Sequence, residues 1–171
     1  FLMEQSMDIA GRLGCRGVVF HTGILANLWM EPYLSTWVKN ATEYISTLAG
    51  KYADIDIYME NTFERDAKPL VDLMKEMNAF PNVKLCLDYA HASLAKTPIE
   101  EWIADMLPYL GHMHTNDNDL KNDLHGIPGR GQIDYRQFKE LINKYKIDVP
   151  ILLELNGIEA QREALEFVSN L

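Results

Sequence analysis

Cysteine is nearly missing from this chain: Cys15 and Cys86 are the only two in 171 residues. Two isolated thiols exclude a disulfide framework and make a reducing, cytoplasmic setting the expectation. Cations are also scarce, with 16 lysines and arginines against 25 aspartates and glutamates and a formal net charge of −9. That balance disfavours a general grip on a polyanion such as DNA, although a local basic patch or bound metal cations can reverse the field inside a cleft. No apolar run approaches the length of a membrane span, so no membrane partner is expected, and the start lacks the basic-then-apolar order of a signal peptide. Internal repeats, low-complexity tracts and the glycine-rich first turn of a nucleotide-binding sheet are all absent. The chain opens on Phe1 instead of a methionine, so an upstream portion is expected to be missing.

What is present alternates. Hydrophobic residues make up 47% of the chain and charged residues 24%, enough for one domain over residues 1–171 with a real core. The β-rich runs "GVVFHTG", "DIDIYMENT", "VKLCLDYAH", "LGHMHTND" and "PILLELNG" are separated by helical patterns. Over residues 34–52, Leu34, Trp37, Val38, Ala41, Ile45, Leu48, Ala49 and Tyr52 keep the three-four spacing of one helix face. "TPIE" at 97–100 has the form of a capping box with proline at the first helical position, ahead of Ile103, Met106, Leu107 and Leu110. Asp134 stands before Phe138, Leu141, Ile142 and Tyr145, with Gln137 three residues on. Ala164, Phe167, Val168 and Leu171 suggest a closing helix, and the residues up to about 13 an opening one. Strand alternating with helix implies an α/β fold of parallel strands with helices outside.

The strand ends carry the chemistry. The five runs stop at His21, Glu60, Asp88, His114 and Glu154. In a closed β/α barrel the C-terminal strand ends converge on one site, which here would collect two imidazoles and three carboxylates. "HTNDNDLKNDLHGIPGRGQID", residues 114–134, adds Asp123 and His125 in a loop able to fold back over the same mouth. Mixed carboxylate and imidazole ligands suit Zn²⁺ or Mn²⁺ better than Ca²⁺, and thiolates are absent from the set. Asp88 and His91 can both face the cleft from a strand-to-helix turn. The plainer role for His91 is a hydrogen bond at the helix start, and for Asp123 and His125 a solvated loop pair. Alternation places His112 on the same side as His114, one layer deeper, as a packing residue and not a ligand. Asp117 and Asp119 read as loop acids.

Taken together, "FHTG", "MENT", "LDYAHA", "HTND", "DLH…GRGQID" and "ILLELNG" resemble the xylose isomerase-like barrel superfamily. It holds sugar isomerases and epimerases alongside endonuclease IV. The resemblance covers roughly residues 14–160 and implies a TIM (β/α)8-barrel type. The five strand–helix units match its last five, with the first three absent. Five strands cannot close the usual barrel, so an exposed edge strand prone to association is expected. The resemblance further implies that Glu60, Asp88, His114 and Glu154 hold the main metal. In endonuclease IV-like members the positions of His21, His91, Asp123 and His125 hold further zinc ions, and an additional upstream histidine of those members has no counterpart here.

Two chemistries are implied. One is a sugar or sugar-phosphate isomerase or epimerase using a divalent ion, Mn²⁺ or Zn²⁺. Glu60 and Glu154 then remove and return the proton on the carbon beside a metal-bound carbonyl, and His91 is free to hydrogen-bond the substrate. The acidic surface fits a small neutral sugar, whereas a phosphorylated one would need local cations such as Arg130. The other is an endonuclease IV-like zinc phosphodiesterase acting at abasic DNA, with Glu60 bridging metals; only this reading takes nucleic acid as a partner. An inactive barrel fragment is the third reading, and a homo-oligomer is compatible with all three.

Overall fold

Residues 2–171 are described by the structure, a computed structural model. The β-rich runs form β1 (Gly17–His21), β2 (Asp56–Glu60), β3 (Val83–Asp88), β4 (Leu110–Thr115) and β5 (Ile151–Leu153). All pair in parallel, in the order β1-β2-β3-β4-β5, as a half-barrel. Spatial order equal to chain order is what successive crossovers in one direction produce. Among the described residues β1 and β5 are free edges, so the barrel stays open as the strand count required.

The helices are α1 (Leu2–Leu13), α2 (Tyr33–Lys51), α3 (Lys68–Glu76), α4 (Tyr89–Leu94), α5 (Ile99–Met106), α6 (Tyr135–Lys144) and α7 (Ile158–Ser169). They bury one face of the sheet. Ile57, Met59, Leu85, Leu87 and Met113 of the strands pack with Ile45, Leu48, Leu70, Leu73, Trp102, Ile103, Phe138 and Leu141 of the helices. Alternation sends the intervening residues to the opposite, polar face. There Tyr58 donates to Asp56 Oδ2 at 2.9 Å and Lys84 pairs with the same oxygen at 2.7 Å.

One irregularity sets the height of the site. Between Leu85 and Cys86 the partner on β4 jumps from Leu110 to His112, leaving Gly111 as an extra residue. A Cβ at Gly111 would come within 2.6 Å of Lys84 Cδ and 2.9 Å of Tyr58 Cε1, so the close strand approach requires glycine. Beyond the bulge, Cys86 is level with His112 and Asp88 with His114.

The elements expected from the sequence form, with four adjustments. β4 runs one residue past His114, and β5 stops one residue before Glu154. Thr97 is not a helix cap: Pro98 takes that position without a side-chain bond, and the Thr97 hydroxyl donates to Arg65 O at 2.7 Å. Leu110 opens β4 and does not continue the preceding helix. The short helix α3 is additional to those expected, and α4 forms at the expected strand-to-helix turn of Asp88 and His91. Asp134 does cap α6, accepting from Arg136 N–H at 2.9 Å and Gln137 N–H at 3.1 Å. No described helix is long and apolar enough to cross a membrane.

Candidate metal centre

Asp88 ends β3 and caps α4 at once. Its Oδ1 accepts the His91 N–H at 2.7 Å, and its own N–H donates to Asn61 Oδ1 at 2.8 Å. Fixed in this way and fully buried, the carboxyl is pushed up to about 6 by desolvation, against the pull of His91. Glu60, also buried, places Oε1 2.6 Å from His114 Nδ1, and Glu154 Oε2 approaches the same nitrogen at 3.3 Å. One ligand atom from each of Glu60, Asp88, His114 and Glu154 lies within 4.8 Å of all the others.

The electrostatics of this group are those of carboxylates in want of a cation. Burial opposes charge on the His114 ring, but Cys86, Glu154 and Glu60 outweigh it and push the imidazole up to about 12. His114 in turn holds the half-buried Glu154 down at about 2. Even so, Glu60 Oε1, Glu154 Oε2 and both ring nitrogens of His114 are buried without a directed hydrogen bond. Buried polar atoms normally have partners, and three carboxylates around one imidazole repel each other. A divalent cation answers both conditions, so the donor set fits one.

A second group adjoins the first. One ligand atom each from His91, Asp123 and His125 lies within 4.8 Å of the others. Asp123 sits between the two rings, 3.3 Å from His91 Nε2 and 3.3 Å from His125 Nε2. His91 Nδ1 lies 3.0 Å from Asn61 O, and His125 Nδ1 lies 3.2 Å from Glu154 O, so backbone carbonyls orient both rings. Burial works against charge on His91, while Asp88 and Asp123 raise its pKa. His125 adopts φ +47°, a strained conformation for a residue with a side chain. His21 belongs to neither group; it is exposed and reaches Glu60 Oε2 at 3.2 Å. The two oxygens of Glu60 thus serve different neighbours, His114 on one side and His21 on the other.

Around these groups stand the remaining residues that the sequence raised, together with Cys86, which it did not bring to the site. Asp117, expected to be a loop acid, is fully buried and accepts four backbone N–H groups, from Asn118, Gly129, Gly131 and Ile133. Asp119 is the exposed turn acid expected of it, accepting from Lys121 and Asn122 N–H. Cys86 brings a thiol within reach of Glu60 and His114, and burial pushes that thiol up to about 12. His112 packs against Tyr58 and His114, with ring centroids 5.3 Å and 5.1 Å apart, and its pKa is lowered by burial and then by His114. Arg130 is exposed and paired with Glu163 of α7, Nε to Oε1 at 2.6 Å.

Comparison with known proteins gives the family and the fold. A family model described as xylose isomerase-like TIM barrel matches residues 2–171. D-psicose 3-epimerase of Ruminiclostridium cellulolyticum is 26% identical over 160 residues, covering 86% of this chain and 53% of the relative. A probable endonuclease 4 of Campylobacter concisus is 24% identical over 190 residues, covering 98% of this chain and 66% of the relative. This chain therefore spans less than two thirds of either relative's length. The crystal structure of a D-tagatose 3-epimerase-like protein superposes with a TM-score of 0.77 at 23% identity, covering 98% of this chain and 68% of that one.

Proposed function

Because the chain belongs to the xylose isomerase-like TIM barrel family, we propose that it carries the metal site of a divalent-metal-dependent sugar or sugar-phosphate isomerase or epimerase. One observation carries this reading: two carboxylates, Glu60 at the end of β2 and Glu154 just beyond β5, converge on one imidazole nitrogen, 2.6 Å and 3.3 Å away. A divalent ion, Mn²⁺ or Zn²⁺, held by Glu60, Asp88, His114 and Glu154 would polarise a substrate carbonyl and acidify the adjacent C–H.

The chain's own residues then divide the work. One of the two glutamates takes the proton from the carbon beside the carbonyl, and the other returns a proton to the neighbouring position or to the opposite face. Asp88, locked by Asn61 and by the α4 N-terminus, keeps its oxygen aimed at the centre. His91 is placed to hydrogen-bond a substrate hydroxyl. Turnover in heavy water with added Mn²⁺ is expected to place deuterium on the carbon beside the carbonyl. The exchange should vanish with chelator and in Glu154→Gln while the circular dichroism stays native. Exchange that survives in Glu154→Gln overturns the glutamate's role, and no exchange with any sugar overturns the reaction.

The second group, His91, Asp123 and His125, favours a second reading, an endonuclease IV-like zinc phosphodiesterase acting at abasic DNA. Here Glu60, with one oxygen toward each side, would bridge metals. This reading expects two or three zinc ions per chain and chelator-sensitive incision of an abasic duplex. A single ion without incision speaks for the isomerase.

A further inference from the structure

A cleft of about 630 Å³ adjoins the second group of side chains and is lined in part by His91 and Asp123. Its wall carries Phe63, Arg65, Lys96 and Lys121. These cations come from three separate connections, those leading from β2 to α3, from α4 to α5 and from β4 to α6. None forms an ion pair with a carboxylate among the described residues; the Arg65 guanidinium lies 6.0 Å from the Trp29 ring. The two acids on the cleft are already engaged. Glu64 accepts from the Thr22 hydroxyl and the Thr62 N–H, and Asp123 is held between two histidines. In a chain with net charge −9 this cleft is set apart by its lining, which carries three cations against two carboxylates.

Phe63 adds a second element of recognition. Its side chain is 55% exposed, with its ring centroid 6.0 Å from that of His91. An exposed aromatic ring beside polar ligands offers a flat apolar surface to the C–H face of a sugar ring. The volume falls within the range of small-molecule sites.

We propose that this cleft selects a phosphorylated monosaccharide. Arg65, Lys96 and Lys121 hold its phosphoryl group, Phe63 underlies its carbon skeleton, and its carbonyl end points past His91 to the metal centre. The assignment rests on the isomerase reading given above, and it places the phosphate-binding cations at positions other than Arg130.

The test is calorimetric binding to the intact, manganese-loaded protein. The probes are D-fructose against D-fructose 6-phosphate and D-ribulose against D-ribulose 5-phosphate. Each phosphate ester is expected to bind at least about tenfold more tightly than its parent sugar, from charge-assisted hydrogen bonds to the phosphoryl group. Arg65→Gln/Lys96→Gln/Lys121→Gln should erase that preference, and Arg65→Lys/Lys96→Arg/Lys121→Arg should keep most of it. Circular dichroism and metal content check that both variants fold. Equal binding of ester and sugar, or an undiminished preference in the glutamine variant, overturns the proposal. It is also overturned if the glutamine variant loses only affinity for an abasic duplex, which would assign the cations to a nucleic-acid backbone. Deuterium exchange on the same samples separates the two layers. A phosphate preference without exchange upholds the cleft and sinks the isomerase chemistry, whereas exchange without preference does the reverse.

Discussion

The carboxylate of Asp117 fastens a loop that has little apolar material of its own. Oδ2 accepts Gly129 N–H at 2.8 Å and Gly131 N–H at 2.9 Å, while Oδ1 accepts Asn118 N–H at 2.9 Å and Ile133 N–H at 3.1 Å. Gly131 has to be glycine, because a Cβ there would meet Asp117 Oδ1 at 2.2 Å. Asp117→Asn turns an amide donor toward backbone donors and is expected to cost roughly 2–4 kcal/mol. Chemical denaturation measures this, and limited proteolysis should cut the 118–133 loop first; an unchanged midpoint would refute the clamp. His114 supports a second prediction. Its folded-state pKa lies above the ordinary imidazole value, so its stabilisation of the metal-free fold is complete below about 6.5 and is lost only as pH climbs toward about 12. An imidazole must be neutral to ligate, so metal uptake should expel about one proton and strengthen as pH rises. Calorimetric heats should then differ between buffers of different ionisation enthalpy, and identical heats would rule this out. At this scale the sequence anticipated that Glu60, Asp88, His114 and Glu154 would meet, because parallel strands bring their C-terminal ends to one mouth. It was a poor guide to Asp117 and Cys86. The partners of Asp117 are backbone N–H groups of residues far along the loop, and Cys86 meets Glu60 only through the pairing of β2 with β3.

At the scale of elements, the bulge in β4 matters most. Gly111→Ala would drive a methyl group into Lys84 and Tyr58, at an overpacking cost of about 1–3 kcal/mol. It should also lower metal content, because the same bulge sets His114 level with Asp88. A variant that melts earlier but binds its full complement of metal would show that the bulge serves packing alone. The strands were legible because turn residues bound each apolar run. The error at Thr97 has a physical cause: the capping-box pattern specifies a hydroxyl near a helix start, but not whether a competing carbonyl, here Arg65 O, captures it. Only the start of α4 was legible, because six residues are too few to display a helical period.

For the molecule as a whole, the open sheet decides behaviour. β1 and β5 each present an unpaired edge among the described residues, and Ile151 and Leu152 on β5 are 39% and 47% exposed. Such edges template pairing with another chain. The 171-residue chain on its own is expected to associate with rising concentration. Added salt should promote this by screening the repulsion of a −9 surface. Sedimentation velocity at two salt concentrations measures it, and a strict monomer throughout would contradict the expectation. The α/β class was readable from the alternation of segments, and the openness from setting five strands beside the eight of the barrel that the resemblance implied. The cation-lined cleft was not, because its lysines and arginine come from three loops that only the folded sheet brings together.

The division of each strand into a helix-facing and a mouth-facing row has a consequence for how this protein varies. Substitutions at Ile57, Met59, Leu85 and Leu87 strike the apolar layer and should lower the amount of protein a cell accumulates. Substitutions at Glu60 remove no apolar packing and should silence the protein at a smaller cost in abundance, whereas those at Asp88 also remove the cap of α4. A deep mutational scan scored separately for abundance and for activity would therefore trace two interleaved signals along β2 and β3, each with a beat of two residues. New chemistry could be written on one row without rewriting the other.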